Sequence, residues 1–112
     1  MTAEKKPARP FDVRTERNGD AVFIRLSGEF DLSCRAHFEG EVARATCHRP
    51  GCLIVDLRTL TFIDSSGLRM LLETYGQSRE ERFDFKVIPG RREVQRVLEL
   101  TGLDDVFPLV SA

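Results

Sequence analysis

No unbroken apolar run in the chain exceeds four residues, the length reached by Cys52-Leu53-Ile54-Val55. It constrains the fold from two sides. A membrane-spanning helix needs roughly 18 apolar residues in a row, so none is expected. A short apolar run instead reads as a strand covered on both faces, the middle of a sheet with helices packed over it. Pro50-Gly51 breaks the chain just before it.

The segments around this strand switch between two periods. Phe11, Val13 and Thr15 alternate with Asp12, Arg14 and Glu16 as in a half-buried strand. Asn18-Gly19 suits a type I′ hairpin turn, and Val22, Ile24 and Leu26 form the returning strand, which Gly28 ends. Cys34, Phe38, Val42 and Ala45 then fall at helical spacing between Ser33 and Cys47, with His37, Glu41 and Arg44 opposite. Gly40 weakens that helix by about 1 kcal/mol relative to alanine. A second helix begins near Asp64-Ser65, with Leu68, Leu71, Leu72 and Tyr75 at i, i+3, i+4 and i+7. Phe83, Phe85 and Val87 alternate as a strand, and Pro89-Gly90 turns into a third helix with Val94, Val97 and Leu98 inward. Gly102 fits its left-handed stop. Val106 to Val110 reads as an extended segment that Pro108 confines to a sheet margin.

The order is β-β-α-β-α-β-α, an α/β single domain with a mixed sheet and an opening β-hairpin. Residues 1–10 contain Lys5, Lys6 and Arg9 with two prolines, and read as a flexible leader; the folded domain is placed at 11–110. A net charge of −1 argues against direct nucleic-acid binding. Three cysteines and no export signal point to reduced thiols and a cytoplasmic location.

Chemistry concentrates where the central strand runs into the second helix, LRTLTFIDSSGLRMLL from Leu57 to Leu72. With 100° per residue and the core face centred on Leu68, Leu71, Leu72 and Tyr75, Ser66 and Met70 point away from the core. Glu73 and Thr74 lie beside them, and Ser65 falls near the core boundary, where its hydroxyl suits capping. Asp64, Ser65 and Ser66 are also ordinary helix-capping residues. A serine hydrolase is disfavoured because G-x-S-x-G is absent and only His37 and His48 exist as bases. No phosphate-binding glycine loop occurs, so no nucleotide cofactor is expected. Cys34-x-x-His37 and Cys47-His48-x-x-x-Cys52 have zinc-like spacing, but Cys34 and His37 face opposite ways, so no metal site is expected.

Ile54-Val55-Asp56-Leu57 followed by Phe62-Ile63-Asp64-Ser65-Ser66-Gly67-Leu68 resembles the signature of the STAS domain, and more narrowly of the small bacterial anti-sigma factor antagonists. Gly28-Glu29-Phe30-Asp31 resembles the family's G-E-L-D, with phenylalanine for leucine, and Val97 to Leu103 resembles its last helix and stop. The resemblance implies a non-enzymatic protein phosphorylated on Ser66 by an anti-sigma factor that is itself a serine kinase. A separate serine phosphatase would reverse the modification. Unphosphorylated, the protein would bind the anti-sigma factor and release a sigma factor. Asp31, Asp64, Ser65, Ser66, Gly67, Met70 and Glu73 are the expected partner surface. The alternative is a STAS scaffold subunit of a stress-signalling or lipid-transport complex.

Overall fold

In the computed structural model, which describes residues 10–111, β1 (Asp12–Asn18) and β2 (Ala21–Phe30) pair antiparallel from Asn18↔Ala21 to Asp12↔Ser27. The turn between them is not type I′. Its central residues are Gly19 and Asp20, and of the two only Gly19 has a positive φ, 64°. That is the II′ pattern, in which glycine takes the left-handed first position and Asn18 remains in the strand. The leader placed at residues 1–10 lies, but for Pro10, outside the described residues.

A 3-10 turn (Leu32–Cys34) leads into α1 (Arg35–Thr46), then β3 (Cys52–Ile63), α2 (Ser65–Glu81), β4 (Asp84–Ile88), α3 (Arg92–Thr101) and a second 3-10 turn (Leu103–Asp105). The sheet order is β1-β2-β3-β4, with β3 parallel to both neighbours. Gly102 stops α3 at φ 78°, as expected of a left-handed cap. Beyond it, Leu109 bridges Val87 in parallel while the Val87 and Val110 N–H groups donate to the Pro108 and Val87 carbonyls. The terminal segment therefore runs along the outer edge of β4.

The core lies on one face of the sheet. Val22, Ile24 and Leu26 on β2, Leu53, Val55 and Leu57 on β3, and Phe85 and Val87 on β4 are all buried. They share one cluster with Phe38 and Val42 of α1, Leu68 and Leu71 of α2, and Val94 and Leu98 of α3. The expectation that Cys52–Val55 is covered on both faces does not hold. Cys52 and Ile54 are only half-buried, as are Phe23 and Lys86 in the flanking strands. Cross-strand packing alone half-shields these residues, so the apolarity of the run overstates its burial.

β3 changes character along its length. From Cys52 to Asp56 it pairs regularly with β2 and β4. Past Asp56 it has no β4 partner, and its register with β2 slips between Arg25 and Ser27 and again between Gly28 and Glu29. Two hydroxyls compensate: Thr59 Oγ1 donates to the Leu26 carbonyl (2.7 Å) and Thr61 Oγ1 to the Gly28 carbonyl (3.1 Å). Gly28, expected to end β2, lies within it at φ 83°, and the strand continues to Phe30.

Candidate functional site

The two longest strands end side by side, Phe30 of β2 paired with Ile63 of β3. Each is followed by an aspartate that opens the next element. Asp31 accepts from the Ser33 N–H (3.0 Å) and the Ser33 hydroxyl (2.6 Å), capping the turn before α1. The Ser33 hydroxyl bond holds the Asp31 carboxyl below the usual carboxylate range. Asp64 accepts from the Gly67 N–H (3.0 Å) and so caps α2, while its own N–H donates to the Phe30 carbonyl (3.4 Å). Asp31, Asp64, Ser65, Ser66 and Gly67 are thus gathered at one end of the sheet.

Gly67 is required by packing. A β-carbon there would lie 2.7 Å from the Phe30 carbonyl oxygen, 2.8 Å from Ile63 and 3.0 Å from the Phe30 ring. The start of α2 can therefore seat directly on the ends of β2 and β3 only without a side chain at this position. Phe30 in turn stacks on Phe11 (5.3 Å) and meets Phe38 edge-on (5.0 Å), tying the site to the core.

The expected phase of α2 is wrong, and three site residues, Met70, Ser65 and Ser66, change character with it. Its buried residues are Gly67, Leu68, Met70, Leu71, Thr74 and Ser78, whereas Leu72 is 39% exposed. Met70, expected to face outward, is 1% exposed. Ser65 is exposed and Ser66 half-buried, the reverse of the expected order. The capping bond comes from Asp64, so capping does not account for either serine. The phase was misjudged because small and hydroxyl-bearing residues lie inward. Thr74 Oγ1 donates to the Met70 carbonyl (2.9 Å) and Ser78 Oγ to the Tyr75 carbonyl (2.6 Å), which makes their burial inexpensive.

Met70 forms the floor of a groove of about 240 Å³ between α1 and α2, with Phe38 and Val42 beside it and Glu39, Glu73 and Gln77 on the rim. Arg35 spans the two helices, donating to Glu39 (2.6 Å) and Glu73 (2.9 Å). Glu73 is exposed as expected, but held by α1 rather than standing free. Sequence reasoning missed two exposed apolar residues at the same end of the sheet, Leu32 (61% exposed), which follows Asp31, and Phe62 (47% exposed), which precedes Ile63. A signal for Leu32 existed: it is out of phase with the Cys34-Phe38-Val42-Ala45 stripe.

The zinc-like spacings do not assemble a site. Cys34 is buried with its thiol donating to the Glu29 carbonyl (3.3 Å), and burial pushes its pKa up. His37 lies exposed against the edge of Phe11. Among the described residues no group of three His, Cys, Asp or Glu side chains is placed to hold a metal ion.

The STAS domain family model matches residues 12–112. The chain belongs to the STAS family. Within it, this STAS domain is 31% identical over 96 residues to an anti-sigma-F factor antagonist, RsfB, of Mycobacterium tuberculosis, covering 86% of this chain and 77% of that protein. The crystal structure of an anti-sigma factor antagonist from Mycobacterium paratuberculosis superposes with a TM-score of 0.81 at 29% identity, over 92% of this chain and 87% of that one. The Bacillus cell fate determinant SpoIIAA shares the fold, with a TM-score of 0.74 at 21% identity in its unphosphorylated form, over 92% of this chain and 88% of that one; its phosphorylated form is also solved. By sequence and fold, the STAS domain described here falls among the anti-sigma factor antagonists. Among the described residues it has no helix long and apolar enough to cross a membrane.

Proposed function

We propose that this STAS domain is a non-enzymatic binding module that, unphosphorylated, captures an anti-sigma factor with serine-kinase activity and so frees a sigma factor. Phosphorylation of Ser66 by that kinase ends the binding, and a serine phosphatase restores it. The observation that carries this is the D-S-S-G block at the start of α2, where Asp64 does the capping and leaves both serines to other uses. Choosing Ser66 over Ser65 rests on the family motif, since exposure by itself favours Ser65.

The charge change acts locally. A phosphate at the first turn of α2 meets unpaired backbone N–H groups and the positive end of the helix dipole, so the fold tolerates it. It also adds about −1.5 to −2 charge near Asp64 and Asp31, at the end of the sheet where Leu32 and Phe62 are exposed. A partner seated there must desolvate that charge, and binding weakens. Met70, expected in the partner surface, contributes from beneath it, as groove floor. Met70→Asp would place a charge in the core, so Leu32→Asp is the appropriate interface probe.

The test is to incubate the chain and its Ser65→Ala and Ser66→Ala variants with candidate anti-sigma kinases and ATP, then map phosphate by mass spectrometry and measure binding by calorimetry. Phosphate on Ser66 with loss of affinity is expected. Stoichiometric phosphate on Ser66→Ala, or unchanged affinity after full modification, would overturn the proposal.

A further inference from the structure

The sheet face turned away from the core carries a pattern that the serine site does not use. Register fixes two rows of side chains across the four strands: Glu16, Phe23, Ile54 and Lys86, and one pleat along, Arg14, Arg25, Asp56 and Ile88. In the next row on the other side, Ala21 pairs with Cys52. Ala21, Phe23, Cys52 and Ile54 are all half-buried, an apolar centre two strands wide. Glu16 and Lys86 stand at opposite ends of its main row. Within one chain they are three strand spacings apart, about 14 Å, too far to pair with each other.

A row that reads acid, apolar, apolar, base is its own complement under a two-fold axis parallel to the strands between β2 and β3. That operation lays β1 over β4 of a second copy and β2 over its β3. Glu16 then faces Lys86, Phe23 faces Ile54 and Ala21 faces Cys52, each contact occurring twice, while Asp56 and Ile88 of the next row are already buried within their own chain. Along this main row no like charge falls on like charge. The centre of the face is also ordered in advance. The Arg25 Nε donates to Asp56 Oδ2 (3.1 Å), while the Arg58 Nε and Nη2 donate to Asp56 Oδ1 (3.0 Å) and Oδ2 (2.8 Å). Side chains already held lose little freedom on association.

We propose that this open face is the interface of a homodimer of this chain, with the two sheets stacked about 10 Å apart. Sheet twist sets the strands of the two copies at about 30°, so the central rows carry the contact and the corners splay. The apolar centre consists of only four half-buried side chains, so the dimer is weak and concentration-dependent.

Sedimentation equilibrium of the full chain from about 10 μM to about 1 mM tests it. A monomer–dimer equilibrium is expected. Glu16→Lys and Lys86→Glu each set like charges opposite one another twice per dimer and should weaken association roughly tenfold or more. The double exchange Glu16→Lys with Lys86→Glu restores complementarity and should recover association, and it remains informative if either single variant folds poorly by circular dichroism. A monomer throughout the range, a dimer indifferent to both single exchanges, or a loss that the double exchange does not recover would each overturn the proposal.

Discussion

The two halves of β3 are made of similar residues and do different work. From Cys52 to Asp56 the strand is held on both sides, and its core-facing Leu53 and Val55 alternate with half-buried Cys52 and Ile54 up to the buried Asp56. From Leu57 to Ile63 it has only β2, slips register twice, and ends at the aspartate that caps α2. The first half supplies the rigidity and the second sets the direction in which the serine-bearing helix leaves the sheet. Bulges bend a strand and increase its twist. The difference teaches that the site is mounted where the ladder becomes irregular, with threonine hydroxyls making up for displaced backbone bonds.

If this division is right, damage to the regular half should be global. Leu53→Ala, at a fully buried position, should cost about 2–5 kcal/mol by transfer and cavity terms together. Urea unfolding with an unchanged slope and a lower midpoint would show it.

Gly67→Ala probes the junction between the slipped half and α2. Its β-carbon collides with backbone, so a loss of about 1–3 kcal/mol is expected from overpacking. Amide shifts in NMR should concentrate at Phe30, Ile63 and the first turn of α2. Shifts spread evenly through the sheet would mean the junction is not a separate element.

Asp56 marks the boundary between the halves, and its effect depends on pH. Burial by itself would raise its carboxyl pKa, but hydrogen bonds from Arg58 and Arg25 outweigh that and lower it. A depressed folded-state pKa means stability that is present above the unfolded value, about 3.9, and lost as pH falls through the folded one. Asp56→Asn should therefore cost about 1–3 kcal/mol near neutrality. The gap between wild type and variant should narrow below about pH 4 in thermal melts across pH. A gap that widens on acidification would contradict the sign.

The smallest effect belongs to the slipped half itself. Thr59→Val removes the hydroxyl that reaches the Leu26 carbonyl and should cost about 0.5–1.5 kcal/mol. Local hydrogen exchange at Leu26 to Gly28 should rise while the global midpoint moves little. An equal rise at Leu53 and Val55 would erase the distinction between the halves.

Most of the fold was legible because alternating and helical periods follow directly from which side chains meet the core. Every residue of the Cys34-Phe38-Val42-Ala45 stripe is buried, and Gly102 stops α3 as expected. Errors arose where burial does not follow hydrophobicity. Ile54 is apolar yet half-buried, Asp56 is charged yet buried between two arginines, and Thr74 and Ser78 are inward because their hydroxyls bond their own helix. The same blindness turned Met70 outward and exchanged the exposures of Ser65 and Ser66. At the site, Asp31, Asp64, Ser65, Ser66 and Gly67, singled out by the motifs, lie together at one end of the sheet. What no periodicity carries is Gly67 against the Phe30 carbonyl, a contact between segments far apart in sequence.

The segment from Pro108 to Val110 has a consequence for how this sheet behaves in a crowded solution. By occupying the outer side of β4, it removes one of the two margins on which a foreign strand could add. Among the described residues the remaining margin is β1, whose sequence DVRTERN alternates charge along most of its length. A molecule with one sealed margin cannot lengthen into a ribbon by strand addition, because any pairing at β1 uses up both open margins at once. Edge-to-edge growth stops at two chains, and shortening the C terminus by a few residues would remove that safeguard before it disturbed the serine end of the molecule.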